Sequence, residues 1–276
     1  MGAVRLRVRD KARAVDFYTG TVGLSLLGEG DGLVRLGAGG RTLIELEVEP
    51  AAVARPRGTT GLFHVAILVP SRAALAVVLR RLVAQQIPIG ASDHLVSEAL
   101  YLDDPDGNGI EIYRDRHPSE WRWQGKTIEM VTHPLDLRSV LADLPADSAL
   151  GTSMPAGTTI GHVHLQVGAL EAARGFYVGQ LGFDLTTDRY PGALFVSAGG
   201  YHHHLGLNIW HSRCGAAPPS GSTGLVHYEI LLPDAETVAS VAARLDHAGT
   251  TLEPTAEGFS VADPWGTVAL VKTAGN

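Results

Sequence analysis

Apolar and polar residues alternate in four stretches of the chain, and each stretch runs on into residues with helical spacing. The stretches are VRLRVRDKARAVDFY from Val4, HVAILVPSRAALAVV from His64, HVHLQVGALEAARGF from His162 and HYEILLPDAETVASV from His227. Alternation with a period of two predicts a strand, and apolar residues three and four apart predict a helix. After Val4 the pattern predicts a helix over Lys11 to Tyr18, followed by strands in GLSLL, LVRLGAG and TLIELEV closed by glycine turns. After His64 it predicts a helix from Ser71 to Gln85 with Ser71 as its N-cap, then strands in IPIGASDH, EALYL and GIEIY. The last two of these are joined by DDPDGNG, whose Asp, Pro, Gly and Asn supply turn angles. FYVGQLGFDL in the third stretch repeats FYTGTVGLSL in the first, and ALFVSAGG and HHHLGLNIW follow as strands. FSVADPWGTVALV in the fourth repeats ALYLDDPDGNGIEIY in the second. The chain therefore reads as four copies of one strand-helix-three-strand unit, an α+β class with βαβββ modules.

Aligned on Val8, Val69, Val167 and Leu232, the copies lie 61, 98 and 65 residues apart. The modules fall at 1–50, 60–116, 159–213 and 223–273, which gives one pair in 1–116 and another in 159–276. The wide middle spacing leaves 117–158 as an interdomain linker, rich in Pro, Gly and polar residues, with one short helix in the apolar stretch Leu135 to Leu144. The same alignment puts Ala3, His64, His162 and His227 at one position at the start of the first strand, so three of the four copies carry histidine there.

Composition narrows the function. With 45% hydrophobic and 18% charged residues, the 276-residue chain has enough apolar surface for real cores. A net charge of -7 provides no basic face for a phosphate backbone, so nucleic acid is not an expected partner. No apolar run reaches the roughly 18 to 20 residues of a membrane span, and MGAVRLRVRD lacks the apolar core of a signal peptide. A single cysteine, Cys214, forms no internal disulfide. These features point to a cytoplasmic protein that handles small molecules. Homo-oligomerisation stays open.

Four such units, with FY near the end of the first helix in the odd copies and DPDGNGIEIY closing an even one, resemble the vicinal oxygen chelate superfamily over almost the whole chain. Its four-module members include the extradiol ring-cleaving dioxygenases. The resemblance implies two half-open mixed β-barrels flanked by helices, each built from two modules. It also implies one divalent metal, held by two histidines from first strands and a glutamate from a last strand. Glu111 of GNGIEIY occupies the glutamate position in the second module, whereas aligning Asp263-Pro264 with Asp104-Pro105 puts Leu270 there in the fourth. If neighbours pair, one set is Ala3, His64 and Glu111 and the other is His162, His227 and Leu270, so each lacks a ligand. Pairing the second module with the third gives His64, Glu111 and His162, a complete set for a facial iron(II) site. His227, with no carboxylate beside it, reads as a satisfied polar group on the concave face of a sheet. Glu111, between Ile110 and Ile112, points to the face opposite theirs; its alternative to a metal is a salt bridge with Arg114 or Arg116.

The implied chemistry is Fe(2+)-dependent opening of a catechol-type ring by O2, with Mn(2+) or another divalent ion as an alternative metal. The substrate loses protons and a later species gains one, which calls for an acid/base group outside the ligand set. By resemblance that group is His203 in YHHHLGLN, with His204 one residue away as the fallback. His94 and Tyr101, the latter ten residues before Glu111, match the histidine and tyrosine that hydrogen-bond substrate and oxygen. Asn208 and Trp210 continue the strand after the histidines and are expected to reach the cavity, where the indole walls an aromatic ring. The rival readings are a hydroquinone dioxygenase, a glyoxalase-like lyase or isomerase, and a resistance protein that binds small molecules without catalysis.

Overall fold

The computed structural model describes residues 1–146 and 153–275; residues 147–152, part of the segment read as a linker, lie outside the described residues. The first module contains β1 (Val4–Val8), α1 (Lys11–Asp16), β2 (Ser25–Gly30), β3 (Leu33–Ala38) and β4 (Arg41–Val48). The second contains β5 (Gly61–Leu68), α2 (Arg72–Ala84), β6 (Gly90–Asp93), β7 (Ser97–Asp103) and β8 (Gly109–Asp115). A connection follows with β9 (Trp123–Gln124), β10 (Thr127–Ile128), β11 (His133–Pro134) and α3 (Leu137–Leu141). The third module has β12 (Thr159–Gln166), α4 (Leu170–Arg174), β13 (Asp184–Thr187), β14 (Ala193–Ser197) and β15 (Leu205–Asn208). The fourth has β16 (Gly224–Leu232), α5 (Ala235–His247), β17 (Leu252–Thr255), β18 (Gly258–Ala262) and β19 (Val268–Thr273).

Apart from a two-stranded ribbon of β9 and β10, the strands form two large mixed sheets, which makes the fold α+β. One has nine strands in the order β11-β6-β7-β8-β5-β12-β15-β14-β13 and so joins the second module to the third. The other has eight, in the order β17-β18-β19-β16-β1-β4-β3-β2, and joins the fourth module to the first. Each seam is an antiparallel pair of first strands, β5 with β12 and β1 with β16.

Modules adjacent in sequence are tied together by a different set of contacts. The hydroxyl of Tyr18, in the FY pair of the first module, donates to Asp104 in the turn before β8 at 2.9 Å. Tyr177 does the same to Asp263 in the turn before β19, also at 2.9 Å. Both tyrosines are fully buried. Arg81 of α2 donates to the carbonyls of Thr21 and Val22, and Arg244 of α5 donates to those of Gln180 and Leu181. The contact repeats because the sequence does.

Two local expectations are corrected. The helix expected over Lys11 to Tyr18 is α-helical only to Asp16, and Phe17–Val22 form a wider π-helical turn that ends on Gly23 at φ 92°. The left-handed φ favours glycine at this position, and the missing Cβ also leaves room for the Arg81 guanidinium, which a Cβ would approach to 2.5 Å. The segment 117–158 holds the expected short helix but also extends the nine-stranded sheet, because β11 pairs with β6. No helix among the described residues is long and apolar enough to cross a membrane.

Candidate metal centre

Strand pairing assembles the site in two rows. In the first, Tyr101 on β7 lies beside Glu111 on β8, Glu111 beside Ala66 on β5, and Ala66 opposite His162 on β12. In the second, Gly109 on β8 lies beside His64 on β5, His64 opposite His164 on β12, and His164 beside Gly206 on β15. Residues two apart in a strand face the same way, so both rows share one face of the sheet. Ala66 keeps the middle of the first row short, which lets Glu111 and His162 meet across it. Gly206 makes room for a ring: a Cβ there would lie 2.8 Å from Cγ of His164.

Oε2 of Glu111 lies 2.9 Å from Nε2 of His64 and 3.1 Å from Nε2 of His162. All three residues are buried, and their ligand atoms lie within 4.8 Å of one another. Nε2 of His64 has no aligned hydrogen-bond partner despite its closeness to the carboxylate. Two rings converging on one oxygen, one of them off its own N–H axis, suit a cation at the meeting point better than a hydrogen-bonded pair. Ligands at right angles around a divalent ion with bonds of about 2.1 Å stand ~3 Å apart, which matches the two distances. Burial alone would raise the Glu111 carboxyl, but His162 and His64 hold it well below the usual carboxylate range. Burial lowers His162 and outweighs the opposing pull of Glu111. An anionic carboxylate with neutral imidazole is the state a metal requires of its ligands. Arg114 and Arg116 bond to Glu98 instead of Glu111, so the salt-bridge alternative for Glu111 is not what the structure contains.

The three residues open onto a cavity of about 320 Å³. Its walls are largely aromatic, with Phe63, Tyr190, Phe195 and Trp210, and its polar groups include His94, Tyr101, His164 and His203. Nδ1 of His94 donates to the Val131 carbonyl at 2.6 Å, so Nε2 accepts from the Tyr101 hydroxyl at 2.7 Å. Burial first and Glu111 second push the Tyr101 hydroxyl well above its ordinary pKa, which keeps it protonated. The ring of His203 lies 4.1 Å from that of His162, centre to centre, and burial with the neighbouring histidines holds it well below the usual histidine range.

Several expected residues fall elsewhere. His204 bonds Ser197 and the backbone N–H of Ala198 and is not among the cavity-lining residues. Of the two neighbouring histidines it is His203 that faces the cavity, because one step along the chain reverses the side chain. Asn208 also lies outside the lining; its Oδ1 accepts the Trp210 N–H at 3.1 Å and fixes the turn that carries the indole. His227 sits in the other sheet, opposite Arg5 and beside Val268, away from any carboxylate-histidine group among the described residues. Residues not anticipated are His164, buried with Nε2 unpartnered, and Met130 and Thr132, which the connection brings to the cavity mouth. The hydroxyl of Thr132 lies 2.5 Å from that of Tyr190 and closes part of the rim.

Paired βαβββ modules place a buried His-Glu-His group, able to hold a metal, at an open cavity, and sequence comparison places the fold. The chain belongs to the Glyoxalase/Bleomycin resistance protein/Dioxygenase superfamily, whose pattern matches residues 1–112 and 159–268. Within it, the chain is 45% identical over 269 residues to a catechol-2,3-dioxygenase of Bacillus subtilis (strain 168), covering 96% of this chain and 93% of that one. Among solved structures, one from Bacillus subtilis subsp. subtilis str. 168 superposes with a TM-score of 0.68 at 16% identity, over 99% of this chain and 85% of that chain. Glyoxalase I from Zea mays superposes with a TM-score of 0.58 at 17% identity, over 99% and 92%. At these identities the two structures speak for the fold alone.

Proposed function

We propose that the protein is an iron(II)-dependent extradiol dioxygenase that opens a catechol-type ring beside its two hydroxyls and incorporates both atoms of O2. The observation that carries this reading is the buried His64-Glu111-His162 group at the floor of an aromatic-walled cavity. The 45% identity to a catechol-2,3-dioxygenase over nearly the full chain supports the same chemistry. His64, Glu111 and His162 would hold the metal. When bound, a divalent ion there supplies positive charge to a diol and a common anchor for two reactants that otherwise meet slowly.

The protein's own groups supply the rest. Phe63, Phe195 and Trp210 hold the ring by its faces and edges and exclude water. Tyr101, protonated and bonded to His94, offers its hydroxyl oxygen to a substrate hydroxyl as an acceptor. His203, neutral and without competing charge, takes a proton from the substrate and returns it later at the same nitrogen. The lowered affinity leaves the ring unprotonated at neutral pH, so a bare nitrogen faces the substrate. Mn(2+) in place of Fe(2+) would leave these roles unchanged.

The test is anaerobic reconstitution with iron(II), followed by a panel of catechols and hydroquinones with O2. The expected result is consumption of O2 and a ring-opened product heavier than a catechol substrate by two oxygen atoms. Turnover that needs no oxygen would remove the dioxygenase reading, and exclusive use of hydroquinones would move the cleavage away from catechols. Ligand binding indifferent to metal removal would make the protein a binding module.

A further inference from the structure

The cavity histidine His203 sits at the end of a hydrogen-bonded chain that leaves the cavity. Its Nδ1 lies 2.7 Å from Nδ1 of His202, and Nε2 of His202 lies 2.8 Å from Oδ1 of Asp115. His202 is fully buried, and Asp115 also accepts the Tyr201 hydroxyl at 2.9 Å. Asp115 ends β8 of the second module, whereas the histidines precede β15 of the third, so the chain exists only because these two modules share a sheet.

We propose that Asp115 and His202 are positioning residues that lock His203 in the tautomer with the proton on Nδ1, leaving Nε2 free to accept. The direction follows from which atoms can donate. A carboxylate only accepts, so Nε2 of His202 carries a proton. In a neutral His202 ring Nδ1 is then bare, and it must accept from Nδ1 of His203. The one nitrogen left on His203 is Nε2, unprotonated, on a ring that lines the cavity. Tyr201 donates to the carboxylate, and Tyr113, whose hydroxyl lies 2.8 Å from that of Tyr201, donates in turn. Every donor in the network thus points toward Asp115. An acid/base group is useful only when the correct nitrogen faces the substrate, and a remote carboxylate that selects the tautomer changes turnover without touching the reactants.

The inference deepens the proposed dioxygenase reading and rests on it for its catalytic meaning, but its test begins without metal or turnover. Metal-free protein labelled with 15N-histidine, with signals assigned through His203→Gln, should show His203 protonated on Nδ1. Asp115→Asn places an amide N–H against Nε2 of His202, which reverses the chain and moves the His203 proton to Nε2. The iron-loaded Asn variant should lose on the order of 10² to 10⁴ in kcat with KM close to the parent value. Tyr201→Phe removes a hydrogen bond from the same carboxylate but keeps the acceptor, so tautomer and kcat should stay as in the parent. If Asp115→Asn does not fold, His202→Phe removes the acceptor instead and should give a mixture of His203 tautomers. A parent His203 already protonated on Nε2, an unchanged tautomer in both variants, or an equal loss of kcat in Tyr201→Phe would overturn the proposal. The expected tautomers in a protein that cleaves no ring would support it and refute the dioxygenase reading.

Discussion

His164 is buried directly opposite His64, and its Nε2 has no partner. Burial first, with the crowding of neighbouring histidines behind it, holds it well below the ordinary histidine range, so the ring is neutral. An unpaired buried nitrogen costs roughly 1–3 kcal/mol, and a fold keeps such a cost where the atom serves a ligand. Replacing the ring with an apolar one of similar shape, His164→Phe, should therefore raise the melting temperature of the metal-free protein, by up to a few degrees. It should also lower kcat/KM about tenfold, the worth of one hydrogen bond to substrate. A lower melting temperature together with unchanged kcat/KM would show that the ring only fills space. The sequence did not single out His164, for a definite reason. The position two residues beyond the repeated histidine holds Arg5, Ala66, His164 and Glu229 in the four modules, so no pattern recurs there. His64 and His162 were legible because their position recurs, and Glu111 because the turn before it fixes its register. His202 and Asp115 were not, since their contact spans two modules and 87 residues.

At the scale of elements, the turn before β8 sets where Glu111 enters the sheet. Oδ1 of Asp104 accepts the backbone N–H groups of Asp106 and Asn108, and its Oδ2 accepts from Asn108 and Tyr18. Asp263 holds the turn before β19 in the same way through Trp265, Thr267 and Tyr177, but β19 carries Leu270 in place of a ligand. Tyr18→Phe and Tyr177→Phe each remove one buried hydroxyl from a buried carboxylate, so each should cost about 1–3 kcal/mol of stability. Only Tyr18→Phe should weaken metal binding, by roughly 10- to 100-fold, since support behind a ligand is worth about that much. Urea unfolding of both variants beside metal titration would check the split, and equal affinities would disconnect the turn from the site. The repeated turns were readable as sequence. The connection was not, because its strands are two residues long and carry no periodicity, yet it supplies the Val131 carbonyl that orients His94.

Across the whole molecule, a ligand count on four repeats favoured pairing the second module with the third, and these two modules do share a sheet along the seam of β5 with β12. Pooling so many histidines in one buried region has a consequence for stability against acid. Burial first, then the N-terminal ammonium and His202, lower His204 from its ordinary 6.5 to about 4, while His164 and His203 lie well below the ordinary value. Each of these rings binds a proton less readily in the folded chain than in the unfolded one. As pH falls below 6.5 the unfolded chain takes up protons that the folded chain refuses, and stability drops until the folded groups titrate as well. His204 alone accounts for ~3 kcal/mol over the interval down to its folded value. That is a large part of the 5–15 kcal/mol typical of a folded protein. Glu111, depressed in the opposite chemical sense, acts in the same direction below the ordinary carboxylate range, because its ionised form is the one the fold favours. Stability of the metal-free protein should thus be flat above pH 7 and fall steadily between about pH 6.5 and 4. His204→Gln, which has no proton to take up, should flatten a substantial share of that slope. Urea midpoints at half-unit pH steps would decide it, and a parent protein as stable at pH 5 as at 7.5 would show that these histidines titrate alike folded and unfolded.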